Sequence, residues 1–292
     1  MADTSVHAPL GFFSPDLLPA ARSAAPLVVD LREIGPSEGA VNAPADCLIR
    51  DARPHADDLT LETTGFTLVR RPSAVRDWYD SSEVVRTYYE ECRQLAREMT
   101  GAAHAFTFDH IIREPGRQIG GGGTAGRDVV TTTDRGGGYI SGVHMDYTDH
   151  SSWTQYLALH GQVEPEGASR VVVLNFWRPL LGAPDRNPLG LCDARTVRED
   201  DLVETMLYGY GHEGYSWHDI GISVYQVARS DHHEWYYYAD MTPDEVLLMK
   251  TFDSEGVIGR GCPHASFAHP DPPPGTPERR SIELRVLCFV EA

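Results

Sequence analysis

The sequence predicts a mainly β fold with a few packed helices, closed as a barrel or jelly roll. Two observations carry this. The 27 glycines and 20 prolines among 292 residues are more turn formers than a helical bundle tolerates. From Tyr139 onward, short strand-like runs follow one another with turn-forming segments between them, the pattern of an antiparallel barrel.

Hydrophobic residues make up 41% of the chain, enough for a substantial core. No internal repeat divides it, so residues 1–292 are expected to form a single domain. Residues 1–60 are rich in proline, alanine and aspartate with weak periodicity, and predict an irregular N-terminal arm with short strands such as one near Leu27–Leu31. Thr64–Val69 has the β-branched and aromatic content of a strand. Val84, Val85, Tyr88, Cys92, Leu95 and Met99 recur at helical spacing and predict a helix over Ser81–Met99, with Ser82 as N-cap and Gly101 as the stop. His104–Ile112 alternates as a strand does. Gly116–Gly138 holds nine glycines in 23 residues and has no period, which suits either a lid or a plain surface loop.

The later strands are expected at Tyr139–His144, Arg170–Trp177, Ile222–Ala228, Glu234–Tyr238, Val246–Phe252, His264–Phe267 and Ser281–Val290, with one short helix near Ser152–His160. Residues 139–292 would therefore form the barrel core.

Charge and cysteine content exclude several function classes. Twenty-five basic against 43 acidic residues give a net charge of −18. Such a surface repels phosphate backbones and anionic lipid, so neither nucleic acid nor membrane is an expected partner. The five cysteines, Cys47, Cys92, Cys192, Cys262 and Cys288, are odd in number and include no CxxC pair. That disfavours a disulfide framework or zinc knuckle and suits a reducing cytosol. No basic stretch followed by an apolar run opens the chain, and no run of 18 apolar residues occurs, so a cytoplasmic protein is expected.

The chemistry concentrates at Val143–Thr148 (VHMDYT). Side chains alternate along a strand, so His144 and Asp146 fall on one face. An imidazole and a carboxylate converging there supply two ligands of a facial triad, which needs one more histidine and leaves positions open for dioxygen and substrate. His264, at the start of an apolar strand, is the best third ligand; His269 in a proline-rich turn and His232 and His233 in a polar turn are competitors. Arg279 and Ser281 form an Arg-x-Ser pair at the start of the last strand, and Arg285 lies six residues on. A guanidinium fork grips a carboxylate through two charge-assisted bonds, though ordinary salt bridging, for example with Glu283, is the plainer role for both arginines.

Asn175, Trp177 and Arg178 end the Arg170–Trp177 strand and are candidates to orient a co-substrate, or simply buried strand residues with a capping arginine. Tyr236, Tyr237 and Tyr238 suit a barrel wall. Lys250 interrupts an apolar run and needs a partner or an exposed edge. Tyr147 and Thr148 flank the ligand pair, and the aromatic, glycine-rich Tyr208–Trp217 tract suits a substrate-facing loop or a hairpin without a role.

A His-x-Asp, a distant His and a following Arg-x-Ser resemble the iron(II)/2-oxoglutarate-dependent oxygenase superfamily. More narrowly, VHMDYT (143–148), NFWRP (175–179), NPLGLCDARTV (187–197), HEWYYYADMTPDEVLLMKTFDS (233–254), CPHASF (262–267) and ERRSIELRVLCF (278–289) occur in the order seen in one family. That family includes the cephamycin methoxylase accessory protein, hydroxylase/desaturases of the aspergillic acid type and gibberellin desaturase. The resemblance covers roughly the second half of the chain.

The resemblance implies a double-stranded β-helix of the jelly-roll, cupin-like kind. It implies His144, Asp146 and His264 as iron(II) ligands, and Arg279 with Ser281 holding the distal carboxylate of 2-oxoglutarate, with Arg285, Asn175 and Arg178 as further candidates at the co-substrate. The implied reaction uses O2 for C–H hydroxylation, desaturation or oxidative cyclisation of a small secondary-metabolite intermediate, as in antibiotic biosynthesis. Ala265-Ser266 stands where relatives carry Thr-Ala, a departure that touches no ligand. Halogenation is disfavoured because Asp146 occupies the position that halide-transferring members leave vacant. Alternatives are an iron oxygenase that does not use 2-oxoglutarate, a non-catalytic partner of a biosynthetic methyltransferase, and a metal-dependent isomerase or hydrolase on a cupin-like barrel. A homodimer or a complex with a biosynthetic partner enzyme is also open.

Overall fold

Alternation along two long strands near the chain's middle and end sets the architecture. The computed structural model describes residues 5–23, 26–30, 42–121, 129–132, 139–183, 186–209, 220–256 and 261–291. In chain order its elements begin with β1 (Val6–Phe13), α1 (Leu18–Ser23), β2 (Leu27–Asp30), β3 (Asn42–Asp51), β4 (Phe66–Arg70), α2 (Ser81–Thr100), β5 (His104–Glu114), β6 (Arg117–Gly121) and β7 (Val129–Thr132). There follow β8 (His144–Met145), α3 (Trp153–Leu159), β9 (Ala168–Pro179), β10 (Leu189–Cys192), β11 (Leu202–Tyr208), β12 (Ile222–Val227), β13 (Trp235–Tyr237), β14 (Glu245–Asp253), β15 (His264–Ser266) and β16 (Ser281–Glu291).

These strands form two sheets. One has seven strands in the order β4-β14-β9-β16-β5-β6-β7, the other nine in the order β1-β3-β13-β10-β15-β8-β12-β11-β2. In the seven-stranded sheet, Val172, Leu174 and Phe176 of β9 and Ile282, Leu284, Val286 and Cys288 of β16 bury one face against α2. The helix meets them with Val84, Tyr88, Tyr89, Cys92, Leu95 and Ala96. Burying each large side chain of this kind contributes about 1.5–3 kcal/mol, which is what docks an amphipathic helix on a sheet. The alternate residues Asn175, Trp177, Glu283 and Arg285 face the other way, in a register that pairs Asn175 with Arg285 and Trp177 with Glu283.

The nine-stranded sheet is strongly curled. Its edge strand β1 returns to bridge Gly142 and Ala228, and an apolar cluster including Leu10, Phe12, Val143, Val227, Trp235 and Ala265 fills one side of the curl. The opposite side faces the seven-stranded sheet, where Trp177, Leu191, Tyr236, Tyr238, Leu247 and Met249 interdigitate. This is the expected jelly-roll arrangement, mainly β with packed helices, though α2 and α3 pack on opposite faces of the seven-stranded sheet. Among the described residues no helix is long and apolar enough to cross a membrane.

Several elements differ from the sequence reading. The described part of the N-terminal arm holds more than short strands: β1 and β3 pair antiparallel from Val6↔Ile49 to Phe13↔Asn42. Their mixed composition hides strands that need only an edge to pair with. The helix is capped by Asp80, not Ser82; the Asp80 carboxylate accepts from the Ser82 and Glu83 amides at 3.0 and 3.2 Å, and Gly101 closes the helix at φ 71°. The Tyr139–His144 strand shrinks to His144–Met145. Before it the chain runs close to β1 and β3: Val143 donates to Gly11 O at 2.7 Å, and a Cβ on Gly142 would stand 2.6 Å from Asn42 Nδ2. Within the glycine-rich stretch, Arg117–Gly121 and Val129–Thr132 pair as strands, since backbone pairing needs no side-chain period. Residues 122–128 and 133–138 of that stretch, read as a lid or a plain surface loop, and 210–217 of the aromatic tract lie outside the described residues.

Candidate active site

The site lies between the two sheets. β8 and β15 are neighbours, and His144 and His264 are direct cross-strand partners. Their ring centroids stand 4.5 Å apart. His144 Nδ1 lies 2.8 Å from Gly142 O and His264 Nδ1 lies 3.0 Å from Cys262 O. A carbonyl only accepts, so each Nδ1 carries the proton and each Nε2 presents a free lone pair, the tautomer a metal ligand needs. Burial, then the neighbouring His264, lower the His144 pKa to about 4, so this imidazole is neutral at physiological pH. Asp146 follows directly after β8, with its Oδ1 3.7 Å from His144 Nε2. One ligand atom from each of His144, Asp146 and His264 falls within 4.8 Å of the others.

The opposite sheet fixes the carboxylate. Asp146 Oδ2 accepts from Asn175 Nδ2 at 3.3 Å and from Arg285 Nε at 3.2 Å. Burial opposes ionisation of Asp146, but Arg285, His264 and His144 outweigh it and hold the carboxyl well below the usual range. Arg285 also donates to Glu283 Oε1 at 3.1 Å, and Arg113 grips the same carboxylate through two bonds of 3.0 and 2.7 Å.

Arg279 is placed differently. It is buried, and its guanidinium lies over the Tyr139 ring, 4.1 Å from the centroid. It donates to Asn187 O at 2.8 Å and Ser266 Oγ at 3.0 Å. Among the described residues no carboxylate forms an ion pair with it, and its Nε, like the Oγ of Ser281, is buried without a hydrogen-bond partner. Burial, with the like charge of Arg113, presses its pKa down to about 9.

Of the predicted site residues, His144, His264, Asn175, Arg279 and Arg285 line one cleft, Asp146 joins them through His144, Asn175 and Arg285, and Ser281 lies two residues from Arg279. Arg178 is a correction. It sits on the helix side of β9, donates to Pro243 O and Arg71 O, and lies over Trp78 and Tyr88. The parity of the strand excludes it from the face that holds Asn175. Lys250 is neither at the cleft nor at a watered edge; it is buried and donates to Asp253 Oδ2 at 3.0 Å. His232 and His233 both contact Asp201 Oδ2, at 2.9 and 3.1 Å, and His233 stacks on Phe12 inside the curled sheet. His269 packs near Tyr237 and Phe267.

Sequence reasoning missed Arg113, Glu283 and Tyr139 as parts of the cleft. A signal existed for the first two. Arg113 and Glu283 interrupt apolar strands, and buried charges of this kind are kept only with a partner.

The donor set and the unpaired arginine fit a metal ion and a dicarboxylate. A family model described as "YDMC: Oxidoreductase/YMDC permease-like domain" matches residues 17–289. The hydroxylase/desaturase efuI of Hormonema carpetanum is 32% identical over 252 residues, covering 84% of this chain and 83% of the relative. The chain belongs to the family of iron(II)/2-oxoglutarate-dependent dioxygenases. The dioxygenase nvfI of Aspergillus novofumigatus is 29% identical over 249 residues, 82% of this chain and 81% of that one. The solved structure of a variant of the iron and α-ketoglutarate (2-oxoglutarate) dependent endoperoxidase NvfI superposes with TM-score 0.76 at 25% identity, covering 100% of this chain and 99% of the other. The dioxygenase cofactors are iron(II), 2-oxoglutarate and O2.

Proposed function

We propose that His144, Asp146 and His264 hold iron(II), that Arg279 with Ser281 holds the distal carboxylate of 2-oxoglutarate, and that the enzyme performs C–H hydroxylation, desaturation or oxidative cyclisation on a small secondary-metabolite intermediate. The observation that carries this is the placement of two Nε2 lone pairs and one ionised carboxylate beside a buried arginine that, among the described residues, has no carboxylate of its own. When bound, iron(II) and 2-oxoglutarate would provide for activation of O2, which is the oxidant both for an unactivated C–H bond and for conversion of 2-oxoglutarate to succinate and carbon dioxide.

The chain's own residues position and insulate. The Nδ1 bonds to Gly142 O and Cys262 O fix both imidazole planes. Asn175 and Arg285 both donate to Asp146 Oδ2, while Oδ1 beside His144 carries only a longer 3.4 Å contact from Arg285, which favours Oδ1 as the oxygen to ligate. Tyr139 stacks on Arg279, and the Trp177 ring centroid lies 5.5 Å from the same guanidinium. Such screening strengthens a guanidinium–carboxylate pair by keeping water out.

We place this enzyme in the cytoplasm as one oxygenase domain, a reading supported by five free cysteines. It would serve a pathway of the antibiotic type, alone, as a homodimer or beside a partner enzyme. The test is an anaerobic titration of the metal-free protein with Fe(II) and then 2-oxoglutarate. A visible metal-to-ligand charge-transfer band supports the whole assignment. Iron binding without the band removes the role of Arg279, and no iron binding overturns the triad.

A further inference from the structure

Three charged side chains stand behind Asp146 in a single chain of contacts. Arg113 of β5 donates Nε and a terminal nitrogen to the two oxygens of Glu283, at 3.0 and 2.7 Å. Glu283 Oε1 also accepts from Arg285 at 3.1 Å. Arg285 in turn spans Asp146, with Nε 3.2 Å from Oδ2 and a terminal nitrogen 3.4 Å from Oδ1. Arg113 and Glu283 are nearly sealed from water, with side-chain exposures of 3% and 9%.

Burying two cations and an anion costs several kcal/mol unless each is held in a defined geometry. A salt bridge serving stability alone needs only Arg113 and Glu283. The third member, Arg285, is the one that reaches the candidate metal ligand. Its long side chain has many rotamers, and the Asp146 contacts by themselves are long. Glu283 removes that freedom: it is locked by two bonds from Arg113 and sits on the same strand face as Arg285, two residues away.

We propose that Arg113 and Glu283 are positioning residues of the oxygenase, acting through Arg285 to hold Asp146 with Oδ2 turned away from the metal. Asp146 would then hold the metal through Oδ1, on which Arg285 keeps only the longer 3.4 Å contact. The inference rests on the iron-binding reading above. Neither residue touches the metal; both act through the arginine between them.

The test measures Fe(II) affinity anaerobically, and the charge-transfer band after 2-oxoglutarate is added, for the full chain and for Glu283→Gln, Glu283→Asp and Arg113→Gln. Loss of such outer contacts weakens a metal site by roughly 10–100-fold, so Glu283→Gln is expected to fall in that range and to shift the band. Glu283→Asp keeps the charge, and with it the fold, but is too short to reach both arginines; it is expected to shift the band as well. Glu283→Gln combined with Arg285→Gln should be no worse than Arg285→Gln alone, because both act on one contact. Wild-type affinity with an unmoved band in Glu283→Asp overturns the proposal while leaving the iron site standing. Absence of iron binding in the unaltered chain overturns both.

Discussion

His144 and His264 face each other directly across β8 and β15, each with Nδ1 tied to the carbonyl two residues before it. The pairing needs only two very short strands, because the hydrogen bonds to Gly142 O and Cys262 O orient the rings. Replacing either histidine by alanine is expected to abolish tight Fe(II) binding while circular dichroism and thermal unfolding stay close to those of the parent. Full affinity in either variant would sink the triad.

Arg279 and Arg285 are expected to fail differently. Arg279→Lys keeps charge but loses the planar fork. A charge-assisted bond contributes about 1.5–3 kcal/mol, so the KM for 2-oxoglutarate should rise by about 10–100-fold with Fe(II) affinity unchanged. Arg285→Lys should instead weaken Fe(II) binding, since Arg285 contacts Asp146. A split titration, metal first and co-substrate second, separates the two.

Glu283 links stability to acid. Burial works against its ionisation, but Arg113 and Arg285 outweigh burial and bring its pKa from 4.5 down to about 2. The unfolded chain therefore takes up this proton first as pH falls, and the stabilisation is present above about pH 4.5 and lost on the way down to about 2. Denaturant unfolding across that range should show a shallower loss in Glu283→Gln. At neutral pH the same variant should be less stable by roughly 3–5 kcal/mol, the cost of leaving a buried charge unpaired.

Phe176 tests the helix side of β9. It is fully buried against α2, between two residues that face the cleft. Phe176→Ala should lower stability by about 3–5 kcal/mol, and Phe176→Leu by much less, read from urea midpoints.

The thiols should be unreactive in the folded state. Cys92, Cys192, Cys262 and Cys288 are buried. Burial pushes the Cys47 thiol up to about 11 and the Cys288 thiol to about 12. Thiolate is the nucleophile, so labelling with a disulfide reagent at pH 8 should be slow until denaturant exposes all five, and the Cys47 rate should climb as pH approaches 11.

Much of this protein was legible in its residues. Alternation in Ser281–Val290 and the helical spacing of Val84, Tyr88, Cys92 and Leu95 mark which faces are buried, because both periods are properties of the local backbone. The His144, Asp146 and His264 set was legible for a similar reason: two of its members share a strand parity, and the third begins a strand. The sequence left Arg279 and Arg285 open, however, since both lie at the same parity of one segment. Only the tertiary structure separates them, by bringing Asp146 and Glu283 to Arg285 and leaving Arg279 under Tyr139 with an unpaired Nε. Arg178 shows the converse: its neighbour Trp177 reaches the cleft and it does not, because one step along β9 reverses the face. Arg113 meets Glu283 across 170 residues of chain, and β1 meets Gly142 only because the nine-stranded sheet curls back on itself. Local periodicity determines which face a side chain takes, but which charges share that face depends on strand order and register, and those are set by packing over the whole molecule.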